Sequence, residues 1–291
     1  MSPDGLRARA LALRAMRAAL ETRGFLEVPT PALVPSAAME RYLYPVVADG
    51  GLLRTSPEFA LKRVVASGLG RIYEIGPCWR DREAGPWHRR EFLMLEWYRV
   101  GGGITDLCDD VEAIVASVAA ALGVAAPSWR RTDVRRLVND AAGVDVATAT
   151  ASELSRRDTD WDLAFQRVWL ERVEGALAGA VFVRDWPPSQ AALARLRDTD
   201  VGPVADRVEA YLHGIELANG FVELIDGAEQ ARRFVAANDA RAADGEPPHP
   251  LDPAFLAAVA RMPPTAGMAL GVERLVATLL GLAGLDDVVV A

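Results

Sequence analysis

The sequence is poor in the residues that build metal centres and disulfide frameworks. It has two cysteines, Cys78 and Cys108, no Cys-x-x-Cys pair, and three widely separated histidines. That pattern excludes a disulfide-stapled scaffold and the common zinc signatures, and it fits free thiols in a reducing cytosol. No apolar run approaches the ~18 residues of a membrane span. The N-terminal stretch LRARALALRAMRAALETRG lacks the uninterrupted apolar core of a secretory signal. Positive charge is in deficit too, with a formal net charge of −8. An acidic protein is a poor default binder of nucleic acid, although a local basic patch can still serve one. No internal repeat or long low-complexity linker is present. The expected setting is cytoplasmic, without a membrane partner.

What is present is a chain of 291 residues, 51% of them hydrophobic, which is ample for a core. Its chemistry concentrates in WRDREAGPWHRREFLMLEWYR, from Trp79 to Arg99. The stretch opens with Arg80, Arg82, His88, Arg89 and Arg90 and closes on an aromatic-rich apolar run that reads as a strand. Side chains alternate along a strand, so Glu96 and Tyr98 face the same way. A carboxylate in such a run is costly unless a cation meets it. Either Glu96 pairs with a nearby arginine, or it lies on the floor of a pocket for a ligand ammonium with arginines at the mouth.

The rest of the chain alternates helix and strand signals. Leu6, Ala10, Leu13, Arg17 and Leu20 fall at helical spacing, with Gly24 as the stop. FLEV at 25–28 reads as a short strand cut off by prolines. Leu52–Ser56 is a second strand, and Pro57–Ala66 a helix with Glu58 in its first turn. Arg71–Ile75 is another strand, and Asp106–Leu122 a helix stopped by Gly123. Residues 125–200 read as an insertion of short helices, with Trp129, Trp161, Trp169 and Trp186 as packing anchors. Arg207–Leu224 reads as a hairpin turning at His213–Gly214. Pairing Leu212 with Ile215 places Glu209 opposite Ala218 and Tyr211 opposite Glu216. Glu209 and Glu216 are then diagonal neighbours on the order of 7 Å apart. Such a pair suits magnesium bridging to phosphate, or arginine pairing. Asn219, Phe221 and Glu223 share the parity of one face, and Gly220 is a candidate bulge. Ala228–Ala243 is a polar helix. Gly267–Gly271 is a small-residue strand running directly into the helix VERLVATLLG. Arg274 in that helix's first turn opposes the helix dipole unless an anion or an acid such as Glu273 meets it.

In order and spacing these pieces resemble the catalytic domain of class II aminoacyl-tRNA synthetases of the lysyl type. They are most similar to the stand-alone paralogues that modify elongation factor P. GFLEVPTP, WRDREAGPWHRREFLMLEWYR and GMALGVERL match the three class II motifs, and TSPEFALKR and GIELANGFVEL the lysyl signatures. The resemblance spans almost the whole chain and is weakest over 125–200. It implies an α+β fold, a largely antiparallel sheet flanked by helices. It also implies one catalytic domain over residues 1–291, a homodimer through the first motif, and ATP with magnesium (Mg2+) as cofactors. The implied reaction adenylates lysine or (R)-β-lysine and passes the acyl group to a lysine of elongation factor P.

By position, the resemblance puts Arg80 between the substrate carboxylate and the α-phosphate, and Glu58 on the α-amino group. Glu96, Tyr98 and Glu223 receive the side-chain ammonium. His88 and Arg274 meet the outer phosphates, Phe92 stacks on adenine, Glu209 and Glu216 hold magnesium, and Asn219 orients the substrate beside Phe221. Ser56 and Ala269 stand where the synthetases favour Ala and Gly, and fit the paralogue. Arg82 replaces a carboxylate expected at the adenine amino group, and Arg89 an ATP-site Asn. The chain leaves little room before the first motif or after Arg274 for an anticodon-binding barrel, so no stable tRNA binding is expected. Competing readings are a truncated lysyl-tRNA synthetase-like enzyme, another amino-acid ligase, or a non-catalytic binder.

Overall fold

Residues 2–37 and 40–290 are described by a computed structural model. In chain order, the first half contains α1 (Pro3–Thr22), β1 (Leu26–Glu27), β2 (Leu33–Val34), β3 (Val46–Ala48), β4 (Gly51–Leu53), α2 (Glu58–Ala66), β5 (Arg71–Trp79), β6 (Glu91–Val100) and α3 (Ile104–Leu122). Then follow β7 (Trp129–Asp133), α4 (Val134–Ala142), α5 (Ala151–Leu154), α6 (Trp161–Val168), β8 (Ala180–Trp186), β9 (Leu196–Thr199), β10 (Gly202–Leu212), β11 (Ile215–Val222), α7 (Gly227–Ala243), α8 (Pro253–Val259), β12 (Thr265–Gly271) and α9 (Val272–Leu279). A nine-stranded sheet runs β1-β5-β6-β12-β11-β10-β8-β7, with β9 on β10. The pairs β1–β5 and β7–β8 are parallel and the other pairings in this sheet antiparallel. The fold is the expected α+β.

Alternation along the central strands divides the sheet into two faces. Leu95 and Trp97 of β6, Ala266, Met268 and Leu270 of β12, and Val208, Ala210 and Leu212 of β10 join the core built with α1, α3 and α9. The intervening residues Glu96, Tyr98, Gly267, Ala269, Arg207 and Glu209 line a pocket on the other face. The central strands therefore bury apolar side chains on one side while presenting polar ones on the other.

Two expectations change. The buried stripe of α1 is Gly5, Ala8, Ala12, Met16 and Leu20, so of the expected face only Leu20 is fully buried. Small residues win because neighbours approach closely: a Cβ on Gly5 would lie 1.9 Å from the carbonyl oxygen of Asp287. The segment 125–200 is not purely helical. Its strands β7, β8 and β9 extend the main sheet, and its short helices close a second core over them. The tryptophans pack locally as expected: Trp129 stacks on Phe182 at 4.3 Å, and Trp169 donates to the Tyr211 hydroxyl at 3.2 Å.

Strand β5 continues to Trp79 through Pro77, beyond the expected end at Ile75. Its other neighbour, β1, pairs only as far as Tyr73, so Pro77 interrupts no ladder on that side. The far end of β6 is anchored by fully buried Asp110 of α3. Its carboxylate accepts from Arg99 at 2.9 and 3.0 Å, Arg23 at 2.7 Å and the Trp97 indole at 3.3 Å. Removing one partner leaves Arg99 buried without its main counter-charge. Asp110→Ala is expected to destabilise the protein by about 3–5 kcal/mol, measured by denaturant or thermal unfolding. An unchanged transition would mean that the helix is held to β6 by packing alone.

Candidate active site

Sheet register brings the pocket residues into rows. Glu209 of β10 pairs with Asn219 of β11, Asn219 with Ala269 of β12, and Ala269 with Glu96 of β6. The adjacent row runs Arg207, Phe221, Gly267, Tyr98. The small residues at the centre of both rows leave the pocket its volume. A Cβ on Gly267 would come within 2.3 Å of the Tyr98 ring and 2.7 Å of Glu223. All the residues proposed from sequence border this one cavity, including Ser56 and Glu58 from the start of α2 and Arg274 from α9.

At the floor, Glu58, Glu96 and Glu223 are all nearly excluded from solvent. Glu96 has no arginine partner. Directly opposite it on β5, Glu74 takes Arg54 at 2.8 Å and the Thr30 hydroxyl at 2.6 Å. Glu96 has only hydroxyls, Tyr98 donating to its Oε1 at 2.7 Å and Ser56 also contributing. Burial, and then the neighbouring Glu58, push the Glu96 carboxyl up to about 8, against the pull of those hydroxyls. Its Oε2, the Glu223 Oε1 and the Asn219 Oδ1 are buried acceptors without a hydrogen-bond donor. The site thus offers acceptors in want of N–H donors, which an ammonium ligand carries.

Lys62, one turn beyond Glu58 on α2, was not anticipated as a site residue. Its ammonium lies 2.5 Å from Glu58 and 2.6 Å from Glu223, and the side chain is 1% exposed. Burial disfavours the Lys62 charge, but Glu223 and Glu58 outweigh it and hold the lysine protonated. Sequence could have shown the i,i+4 spacing of Glu58 and Lys62 on a helix. The approach of Glu223 from another element needs the fold.

The expected register of Glu209 and Glu216 is corrected, and of the two alternatives left open for them, magnesium or arginine pairing, the arginine one is seen at Glu209. Leu217 is an extra residue in β11, so Glu209 pairs with Asn219 rather than Ala218, while Tyr211–Glu216 and Leu212–Ile215 stand as expected. The irregularity thus lies at Leu217, not at Gly220. Glu209 is held by Arg207 and the Tyr211 hydroxyl. Glu216 stands 3.8 Å from Arg274. Among the described residues no group of three or more His, Cys, Asp or Glu forms a metal cluster. The turn at His213–Gly214 has the expected left-handed pair of residues, φ 53° and 77°.

At the mouth, Arg80 donates to the Thr55 carbonyl at 3.3 Å and lies 5.3 Å over the Phe92 ring. Arg274 donates to the Trp87 carbonyl at 3.0 Å and the Glu216 carbonyl at 3.2 Å. Glu273 goes to Arg9 and the Leu93 N–H instead of pairing with Arg274. Burial and then Arg274 lower the His88 imidazole below its ordinary value, which favours its neutral form. Of the altered arginines, Arg82 and Arg90 lie outside the cavity and Arg89 borders it. Arg82, in a left-handed conformation with φ 65°, lies 3.9 Å over Tyr44 and forks onto Glu246 at 2.6 and 3.0 Å. Arg89 binds Asp286, and Arg90 lies 3.1 Å from Asp81. Glu83, one residue on, lines the pocket 3.6 Å from Arg80.

The sequence matches the family described as tRNA synthetases class II (D, K and N) over residues 3–290. The chain belongs to that family, and with it to the ATP-dependent amino-acid ligases. Its curated relatives include proteins named elongation factor P–(R)-β-lysine ligase. That of Vibrio cholerae is 38% identical over 97% of this chain and 93% of the relative. That of Vibrio parahaemolyticus is 37% identical over 99% and 95%, and that of Hamiltonella defensa 35% identical over 96% and 92%.

A raised carboxyl has a sign. The native state keeps a proton on Glu96 that the unfolded chain has released, so this group's contribution to stability is lost as pH rises from about 4.5 to about 8. Glu96→Gln abolishes that loss. The variant is expected to melt about 2 °C or more above the parent at pH 8.5 and alike at pH 4, while losing affinity for an amine ligand. A melting difference that is flat across this range would refute the buried acid.

Proposed function

We propose that this chain condenses ATP with a lysine-like amino acid, (R)-β-lysine in the favoured case, and transfers the acyl group to a lysine of elongation factor P. The observation that carries the reading is the floor of buried oxygens without a hydrogen-bond donor, on Glu96, Glu223 and Asn219, beneath a cationic mouth. The relatives' names supply the acceptor and the isomer. Glu96 with Tyr98 takes one ammonium, while Glu58, Glu223, Ser56 and Ala269 shape the surrounding floor. Arg80 holds the carboxylate against the α-phosphate, Phe92 supports adenine, and Arg274 with neutral His88 meets the outer phosphates. A carboxylate oxygen attacks the α-phosphorus and pyrophosphate leaves, with charge stabilised by Arg80 and Arg274. The neutral ε-amine of the acceptor then attacks the adenylate carbonyl, AMP departs, and the amide forms with loss of a proton.

Magnesium fits the donor set in part. Glu216 offers a carboxylate, whereas Glu209 would have to leave Arg207 and Tyr211. When bound, the ion would supply charge neutralisation at the phosphates. The chain acts as one catalytic unit in the cytoplasm and as a homodimer, in keeping with apolar Leu11, Leu26 and Leu33 exposed near its N-terminus. None of the described helices is long and apolar enough to cross a membrane. With labelled (R)-β-lysine, ATP and both candidate acceptors, label is expected on elongation factor P and not on tRNA. Stable label on tRNA alone would overturn the reading.

The nucleotide loop yields a second expectation. Glu83, rather than residue 82, is the carboxylate available to a nucleobase amino group, and Arg82 cannot accept. Glu83→Ala is expected to raise the KM for ATP about fivefold, the equivalent of one hydrogen bond of ~1 kcal/mol. Arg82→Glu would sit beside Glu246 and leave the preference for ATP over GTP unimproved. Pyrophosphate exchange measured with both nucleotides reads the two variants, and the reverse pattern would return the role to position 82.

A further inference from the structure

Lys62 is the one lysine in the sequence; every other basic residue among the 32 is arginine. It is also among the most deeply buried large side chains, with its stem inside the protein and its ammonium between Glu58 and Glu223. A guanidinium is wide and planar and forks onto carboxylates, whereas an ammonium is a compact point donor with three N–H groups. The two carboxylates meeting here come from unrelated elements, the first turn of α2 and the end of β11. Each reaches the same nitrogen within 2.6 Å. They sit in a cavity whose remaining floor acid, Glu96, has no cation at all.

We propose that Lys62 is a positioning residue for amine recognition: it ties Glu58 and Glu223 to one point and so sets the spacing of the amino groups that the pocket accepts. The inference rests on the proposed reading of the site as an amino-acid pocket and deepens it. Glu58, Glu223 and, once it gives up its proton to an incoming ligand, Glu96 face one internal ammonium, which leaves a deficit of positive charge. A diamino acid brings two ammonium groups into that deficit, and its own carboxylate goes to Arg80. A monoamine of the same length leaves part of the deficit unmet. The Glu223 Oε2 is ion-paired with Lys62 at 2.6 Å without hydrogen-bond geometry, and Oε1 has no donor, so Glu223 can hold a ligand amine without releasing the lysine. Lys62 thereby acts as a fixed template: the ligand amines must fit where its two carboxylates point. Discrimination between diamino acids that differ in chain length or in the carbon bearing the amine follows from that template.

The test uses the full chain and two variants, Lys62→Met and Lys62→Arg. Readouts are thermal melting and pyrophosphate exchange with lysine, (R)-β-lysine and the shorter ornithine. Lys62→Met is expected to raise the KM for the amino acid ~10-fold or more, with the KM for ATP within about twofold of the parent. Lys62→Arg keeps the charge but not the geometry. It is expected to recover melting temperature while discriminating less between ornithine and lysine. Recovery of both stability and selectivity by Lys62→Arg would reduce Lys62 to charge compensation and overturn the proposal. Because Lys62 is unique, protein labelled with 13C only in lysine gives one side-chain signal. That signal is expected to shift on adding (R)-β-lysine and far less with norleucine, which lacks the second amine. Equal shifts with both would also overturn the proposal, and this measurement needs no variant to fold. A parent protein that neither exchanges pyrophosphate nor binds any diamino acid by calorimetry would remove the functional reading itself. A parent that does so, with both variants unaltered in KM and selectivity, would remove only the role of Lys62.

Discussion

Keeping carboxylates out of water without matching them fully with cations is the constraint on which this molecule is built. Glu58, Glu96 and Glu223 are all 8% exposed or less. Desolvating a carboxylate is expensive, and an internal partner removes only part of the penalty. The fold uses three means of holding them. The pair of Glu58 and Glu223 is given Lys62. Glu96 is given two hydroxyls and takes up a proton at neutral pH. The strands beneath are locked by an apolar layer against α1, α3 and α9. An incoming ammonium would relieve what remains, and on the proposed reading a preference for amines follows from a deficit left in the folded state.

The mouth of the pocket works by the opposite logic. Arg80 and Arg274 are half-buried and tied through backbone carbonyls. Each also has a carboxylate at longer range, Glu83 at 3.6 Å from Arg80 and Glu216 at 3.8 Å from Arg274. The surrounding loop gives each of its other arginines an external acid, Glu246 for Arg82, Asp286 for Arg89 and Asp81 for Arg90; Arg82 and Arg90 stay outside the cavity, while Arg89 borders it. Such exposed pairs add little to stability singly. Their effect is on direction, since turning Arg82 onto Tyr44 and Glu246 lets Glu83 reach the cavity wall. On the proposed reading, the carboxylate facing the nucleobase is thereby displaced by one residue, from position 82 to Glu83.

Family membership and fold class were legible because each motif carries its own local physics. Pro57 with Glu58 starts a helix, Gly123 stops one, and His213–Gly214 closes a hairpin through left-handed residues. The parity of Glu96 and Tyr98 follows from strand alternation alone, and their 2.7 Å contact bears it out. The α1 stripe was less legible. Alanines and leucines both satisfy a helical period there, and what selects Gly5, Ala8 and Ala12 is how closely other segments approach. Of the strands in 125–200, Trp129–Asp133 and Leu196–Thr199 are short polar segments that become strands only where a sheet receives them, whereas Ala180–Trp186, AVFVRDW, carries the β-branched and aromatic residues of a strand and was legible.

By itself the sequence determined the order of helices and strands, the acids and arginines available to a site, and which of them share a strand face. These are local properties, set by backbone periodicity, caps and turn residues. The tertiary structure alone decided which charges meet. The extra residue Leu217 slides Glu209 opposite Asn219, where Arg207 and Tyr211 claim it. Lys62 finds Glu223 across a separation of many residues, and Glu96 finds no arginine although Glu74, one strand away, finds Arg54. The physical reason is that electrostatic pairing depends on distance and burial to within an ångström or two, and a sequence specifies neither until the sheet register is formed.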